Sequence, residues 1–250
     1  MLFSVITVTL ENLSGLKRTA ASLAAQNCRD YEWIVVDGGS KDGTRAYLEQ
    51  SRAIWASEKD NGIYDAMNKG MGEARGAYLL FLNAGDTLAG PDVLARLAAR
   101  LEKDAPDLVY GDALEGAPGE KPELKKARPH RRIARGMFTH HQAMLYRRGA
   151  VGALRYDTSL EIAADYKFTA QILLRRGSAL YVPEPLCVFE PGGVSQQQAE
   201  TGRREQFRAR RDLGLAGPVR NRLIYAGQSF LWLLRKKYPA LYWAVRSRIA

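Results

Sequence analysis

Two stretches place a carboxylate just past a buried apolar run. LLFLNAGDTL (79–88) carries Asp86, and VVDGGSKDGT (35–44) carries Asp37. One reading is a strand followed by a turn, because Asn, Gly and Asp are common turn formers. The other is a site. A hard cation such as Mg²⁺ takes oxygen ligands and needs only one or two carboxylates plus substrate phosphates, so Asp86 can suffice. Asp37 can close a tight turn or accept hydrogen bonds from a base or ribose. Its segment has neither the G-x-G-x-x-G fingerprint nor a Walker A loop. In EKDNGIYDAMNKG (58–70), Asp60 or Asn61 can cap a helix. Asp65 and Lys69 can pair four residues apart on its face, and Asp65 and Asn68, within one turn, can both reach a ligand. His140 and His141 read as a metal pair, a proton shuttle or acceptor-side hydrogen bonders. Adjacent strand residues point to opposite faces, which disfavours a shared metal.

The elements that must position these groups alternate. SVITVTL (4–10), EWIVVDGGS (32–40), IWAS (54–57), AYLLFLN (77–83) and DLVYGD (107–112) read as strands. Between them, helical spacing starts near Asn12 or Ser14, at Thr44, at Ile63 and at Pro91. Near-continuous apolar strands alternating with helices predict a mainly parallel sheet covered on both faces. Ligands bind beyond the carboxyl ends of such strands, and Thr9, Asp37 and Asp86 would share that edge. Residues 113–135 read as a loop rich in Pro, Gly and charge, and Lys125 to Arg148 holds eight Lys/Arg and no acids. HHQAMLYRR (140–148) reads as a strand, Asp165–Arg176 as a helix, and 181–196 as extended chain ending in a Gly-Gly turn.

Charge divides the chain. Residues 1–202 hold 25 Lys+Arg and 25 Asp+Glu, whereas residues 203–250 hold 12 and 2. A neutral body argues against nucleic-acid binding, and the basic, largely helical tail suits an anionic surface. Its Leu, Trp and Tyr interleaved with Arg and Lys fit a membrane interface, with packing on protein as the other reading. Pro239 would end or kink that helix. No apolar run is long enough to span a bilayer, and the start does not read as a signal peptide. The expectation is a cytoplasmic protein held peripherally at the inner face of the membrane. The two distant cysteines, Cys28 and Cys187, fit a reducing compartment.

The order SVITVT, IVVDGGSKDGT, DNGIYDAMNKG, LLFLNAGDT resembles the nucleotide-sugar-binding half of glycosyltransferase family 2, of GT-A fold, over about residues 3–195. HHQAMLYRR, EIAADYKF and FEPGGVS resemble its second half. The resemblance implies an α/β GT-A fold, a Rossmann-like nucleotide-binding sheet with helices on both faces. Its domain would be 1–202, split into a nucleotide-sugar half (1–112) and an acceptor half (113–202), followed by the tail 203–250. Thr7 and Thr9 match positions beside the nucleotide, Asp37 the carboxylate for base or ribose, and Asp65 an acidic position near the nucleoside. Asp86 matches the last Asp of the family's DXD motif and would hold Mg²⁺ or Mn²⁺. Asp165 matches the catalytic base, and His141 and Gln142 the acceptor side. Ala84 stands where the first Asp of DXD would be, with Asn83 as the neighbour left to help.

The implied reaction is displacement with inversion at the anomeric carbon of a nucleoside-diphosphate sugar, UDP-sugar favoured. The acceptor would be a saccharide or lipid-linked saccharide in surface polysaccharide or glycolipid synthesis. The metal at Asp86, and Lys or Arg from 125–148, would meet the charge of the leaving group. Asp165 would take the acceptor proton, kept ionised by its helix start. The competing expectation is a nucleotide-sugar-binding protein without transferase activity, which needs no base at Asp165.

Overall fold

The β-branched run after Leu2 forms the first strand of a computed structural model that describes residues 1–175 and 177–238. In chain order the elements are β1 (Phe3–Thr9), α1 (Leu13–Ala24), β2 (Tyr31–Asp37), α2 (Thr44–Glu49), β3 (Ile54–Ser57), α3 (Ile63–Glu73), β4 (Tyr78–Phe81), β5 (Thr87–Leu88), α4 (Val93–Leu101), β6 (Leu108–Glu115), β7 (Glu123–Lys125), β8 (Met144–Arg147), α5 (Arg148–Val151), α6 (Ala164–Leu174), β9 (Ala179–Phe189), α7 (Val194–Gln197), α8 (Ala199–Asp212) and α9 (Pro218–Lys237). Two 3₁₀ turns cover His130–Arg135 and His141–Ala143.

One sheet runs β3-β2-β1-β4-β8-β6-β9-β5, with β7 paired to β6. β1 to β4 are parallel, as their apolar runs predict. β8 is the departure from a parallel sheet. It is antiparallel to β4 on one side and to β6 on the other. β6 therefore runs with β4, and β9 runs parallel to β6. Six strands end at one edge, and β8 begins there. That reversal brings His141 and Gln142, just ahead of β8, to the edge where Thr9, Asp37 and Asp86 lie.

Side chains alternate across the sheet. Ile6 and Val8 of β1 pack with Met67 and Met71 of α3 and with Phe168 of α6. Phe3 and Val5 face the other way, onto Leu94 and Leu97 of α4. Gly70 lets α3 lie against β1, since a Cβ there would strike Ile6. Asn12 is the cap of α1, accepting the Gly15 N–H at 3.0 Å. Neither Asp60 nor Asn61 caps α3. Gly62 holds that position with φ 105°, while Asp60 accepts the Gly62 N–H. The segment read as a loop at 113–135 contains the end of β6, β7 and a 3₁₀ turn, because β6 continues to Glu115 and pairs with β7. The strand expected at 140–148 is shorter, starting at Met144. Cys28 and Cys187 are both free.

The expected boundary at 202/203 falls inside α8, and this helix packs on the body through buried Glu205 and Arg210. The first part of the tail is therefore built into the fold. Pro239 and the rest of 239–250 lie outside the described residues, as does Arg176 at the expected end of α6. Among the described residues no helix is long and apolar enough to cross a membrane.

Candidate active site

The nucleotide-side positions follow strand register. Thr9 pairs with Asp37 across β1 and β2, and Asp37 pairs with Ser57 across β2 and β3. Asp37 is fully buried. Its carboxylate accepts the Ser40 N–H and hydroxyl and the Ser57 hydroxyl, the last at 2.6 Å. Both sequence readings meet here: Asp37 closes the turn and stands at the ligand edge. The buried Thr9 hydroxyl has no partner among the described residues, an opening that a ligand can fill. Thr7 lies deeper, and its hydroxyl accepts the Trp33 indole N–H at 2.9 Å, so it supports the strand end from beneath. Asp65 accepts the Asn61 N–H at 3.0 Å and lies 3.7 Å from Lys69, which sits closer to Glu58.

Asn68 goes elsewhere. Its amide donates to the Tyr156 carbonyl at 3.0 Å and its oxygen accepts the Tyr156 N–H at 2.8 Å. Both ends of the side chain are committed to one backbone residue, which makes Asn68 a staple between α3 and the chain beyond α5. Tyr156 in turn bonds His141 Nε2 through its hydroxyl at 2.9 Å. His141 is buried and stacked on Phe81, and burial pushes its imidazole pKa down to about 3. It is a neutral part of the floor, and the shuttle reading loses its titrating group. His140 turns away to stack on Phe189 at 4.4 Å, so the two imidazoles do not converge on a metal.

Asp86 is the second buried carboxylate of the edge. Its carboxylate accepts the Glu190 N–H at 2.9 Å and a hydrogen bond from the Gln142 side chain. Thr19 fixes the backbone beneath it, donating to the Asp86 carbonyl at 2.7 Å and accepting the Gly85 N–H. Gly85 has φ 108°, and a Cβ there would run into the Glu190 carboxylate. Burial pushes the Asp86 pKa up to about 7 and the nearby Glu190 adds to the rise, while the Glu190 N–H and Gln142 oppose it. The Glu190 carboxylate is held by Arg18. Among the described residues no cluster of three His, Cys, Asp or Glu forms a metal cage. The donor chemistry still fits a hard divalent ion. Asp86 supplies a carboxylate that cation charge would ionise, and the buried Asn83 Oδ1 nearby in the turn has no partner among the described residues. One carboxylate, one amide oxygen and substrate phosphates suit Mg²⁺ or Mn²⁺.

Asp165 sits in the first turn of α6, with Ala163 as the cap residue. Asp165 Oδ1 accepts the Tyr166 N–H at 2.6 Å and lies 3.4 Å from the Tyr64 hydroxyl, which donates at 2.7 Å to the Ile162 carbonyl. The carboxyl is crowded by protein yet borders a cavity of about 300 Å³ shared with Met137, Ile162, Arg203 and Gln206. Desolvation pushes its pKa up to about 6, with Glu205 adding to the rise. This corrects the expectation that the helix start lowers it. Crowding outweighs the helix field and the Tyr166 N–H.

Sequence reasoning passed over Glu205. Its carboxylate accepts the N–H groups of Glu161, Ile162 and Ala163 at 2.8, 2.9 and 2.9 Å, and so shapes the entry to α6. Its only sequence signal is an isolated acid in a strongly basic segment. Tyr64 and Tyr156, stacked at 5.5 Å, were equally silent. Three residues of the basic stretch are engaged within the fold. Lys125 pairs with Glu123 and Glu115, Arg147 with Asp107, and Arg148 with the Gly76 carbonyl.

This edge, with its strand-end carboxylates on a mainly parallel sheet, belongs to a GT-A fold. The sequence profile of Glycosyl transferase family 2 matches residues 4–156, and the chain belongs to that family. An uncharacterized glycosyltransferase of Mycobacterium tuberculosis is 35% identical over 260 residues, covering 92% of this chain and 94% of its own. A PGL/p-HBAD biosynthesis glycosyltransferase of Mycobacterium bovis is 37% identical over 179 residues, 67% of this chain and 68% of its own. Among solved structures, S. aureus TarS 1-349 in complex with UDP-GlcNAc matches with TM-score 0.71 at 19% identity, over 91% of this chain and 71% of that one. The mannosyltransferase PcManGT from Pyrobaculum calidifontis, in complex with GDP-Man and Mn²⁺, matches with TM-score 0.62 at 18% identity, over 98% and 78%. At these identities the two structures establish the fold.

Proposed function

We propose that this chain transfers a sugar, with inversion, from a nucleoside-diphosphate sugar to an acceptor hydroxyl. The observation that carries this reading is Asp165: a cavity-facing carboxyl with a pKa of about 6 is ionised at neutral pH and still basic enough to take a proton. A pure binding protein, the reading that Ala84 in place of the first Asp favours, has no use for such a group. The catalytic unit is 1–202 together with the packed α8, its nucleotide half 1–112 and its acceptor half 113–202.

Asp86 and Asn83 would hold Mg²⁺ or Mn²⁺. When bound, that ion supplies neutralisation of the charge on the departing diphosphate. PcManGT, a relative in fold, carries Mn²⁺ with its sugar nucleotide, which supports the metal. Thr9, Asp37 and Asp65 border the nucleoside. UDP-sugar is the favoured donor, in line with the UDP-GlcNAc complex of TarS. Asp165 accepts the proton of the acceptor hydroxyl as it attacks, and Tyr64 and Glu205 keep the carboxyl in place. The acceptor is a saccharide or lipid-linked saccharide, and the relative named for PGL/p-HBAD biosynthesis supports a surface glycan or glycolipid product. α9 presents Val219, Leu223, Phe230 and Leu233 along one exposed face, with Arg220, Arg222, Lys236 and Lys237 on the same helix. That pattern suits peripheral attachment to an anionic inner membrane face.

The test is nucleotide release from UDP-sugars across a panel of saccharide and glycolipid acceptors, with the anomer of the product read by NMR. Wild type is expected to turn over with an inverted linkage and Asp165→Asn to be nearly inactive. Retained configuration, or equal turnover by Asp165→Asn, contradicts the reading.

A further inference from the structure

The cavity beside Asp165 holds one cation that the mechanism does not use. Arg203 of α8 lines it together with Met137, Ile162, Ala199 and Gln206. Its guanidinium lies 4.6 Å from the centre of the Trp232 ring of α9, and Lys236 Nζ lies 5.4 Å from the same ring. Arg203 Nε is buried and has no hydrogen-bond partner among the described residues. The neighbouring acids do not neutralise it. Glu205 is occupied by three backbone N–H groups, and Glu200 is paired with Arg204. Asp165 borders the same cavity but lies outside ion-pair distance of Arg203.

A buried guanidinium nitrogen without a partner is costly, and proteins keep such groups where a ligand completes them. A guanidinium held over an indole keeps its N–H groups available, and its planar fork suits a bidentate oxyanion. Lys236 does not line the cavity, but at the same ring it adds positive charge beside Arg203, which favours a phosphate over a carboxylate. The location decides which substrate brings it. Thr9, Asp37 and Asp86 do not line this cavity, whereas Ser195, just past the Gly-Gly turn, does, so it opens beside the base rather than at the nucleotide edge.

We infer that Arg203, stacked on Trp232, is an acceptor-binding residue, and that the cavity beside Asp165 takes an acceptor bearing a phosphate group near the attacked hydroxyl. This rests on the reading of Asp165 as the base for transfer. Met137, Ile162 and Ala199 give the remaining wall an apolar surface against which the carbon frame of the acceptor can lie. The cavity, about 300 Å³ and open to solvent, has room for a head group with the rest of the acceptor extending outward.

The experiment is a tryptophan-fluorescence titration of the full chain with three probes below any micelle concentration: octyl phosphate, glycerol 3-phosphate, and octyl glucoside as the uncharged control. Wild type, Arg203→Gln and Arg203→Lys are compared, and each is also titrated with UDP and Mn²⁺ to report fold and the donor side. Octyl phosphate is expected to bind wild type about tenfold or more tighter than octyl glucoside. That advantage is expected to vanish in Arg203→Gln and to be partly kept in Arg203→Lys. Glycerol 3-phosphate binding as well as octyl phosphate assigns the anion to a soluble acceptor, and weaker binding assigns it to a lipid-borne one; both support the inference. Equal binding of octyl phosphate and octyl glucoside, or an advantage that survives Arg203→Gln, overturns it. A loss of UDP affinity in Arg203→Gln as large as the loss for octyl phosphate also overturns it, because the arginine then serves the donor diphosphate. If no form binds UDP while the phosphate preference and its loss persist, the donor reading fails and the anion site stands.

Discussion

Glu205 on α8 grips the three residues before α6, and Asp165 stands at the start of that helix. The Glu205 carboxylate takes the N–H groups of Glu161, Ile162 and Ala163, and its charge helps raise the Asp165 pKa. One carboxylate thus shapes both the position and the proton affinity of the other. Glu205→Gln should destabilise the fold by about 1–3 kcal/mol, because the amide keeps one acceptor oxygen and turns an NH2 donor toward at least one of the backbone N–H groups. With the negative neighbour gone, the acid limb of kcat/KM should move to lower pH. Chemical denaturation and a pH–rate profile measure the two effects. A destabilised variant with an unmoved limb would show that the link is structural only.

Asp165 carries a cost that its neutral isostere removes. The folded protein keeps a proton on Asp165 up to about pH 6, whereas the unfolded chain loses it near pH 3.9. The native state binds more protons between those values, so stability falls as pH rises through that window. Asp165→Asn should therefore be more stable than wild type at pH 7, on the order of 2 kcal/mol, and equal to it near pH 3. Its kcat should fall by about 10²–10⁴ with nucleotide affinity kept. Paired melting curves at the two pH values check the sign; a variant less stable at pH 7 contradicts it.

Asn68 distinguishes a donor contact from a staple. If its bonds to Tyr156 are its role, Asn68→Ala should lose about 1–3 kcal/mol of stability and leave nucleotide affinity nearly unchanged. If it touches the nucleoside, the affinity falls and the melting temperature stays. Calorimetry and thermal melts on the same sample separate the two.

Much of this site was readable from residue order. Apolar runs fixed β1 to β4, and strand ends placed Thr9, Asp37 and Asp86 on one edge. The rest needed three dimensions. An antiparallel β8 in mid-sheet leaves no mark on the apolar pattern, since a buried strand looks the same in either direction. His141 reads as chemistry in sequence because imidazole titrates near neutrality, yet Phe81 and Tyr156 enclose it. The pKa of Asp165 depends on crowding from α3 and α8, far away in the chain, and the local helix start pointed the other way. Glu205 and Arg203 were hidden in a segment whose net charge dominated its reading.

The exposed face of α9 predicts a salt-sensitive membrane association. Full-length protein should co-sediment with vesicles rich in anionic lipid and weakly with neutral ones, and raised salt should release it. Leu223→Asp with Phe230→Asp should abolish binding and leave nucleotide affinity intact. Equal binding to neutral and anionic vesicles, or none to either, contradicts peripheral attachment through this helix.

The central claim is that Asp86 and a divalent ion together receive a nucleoside diphosphate at the carboxyl edge of the sheet. The most direct measurement is a calorimetric titration with UDP, GDP and TDP, with and without Mn²⁺, on wild type and Asp86→Ala. One nucleotide, UDP, is expected to bind in the presence of Mn²⁺. Removing the ion or the carboxylate should weaken it by about tenfold or more. Binding indifferent to both Mn²⁺ and Asp86, or no nucleotide binding by the folded protein, would contradict it.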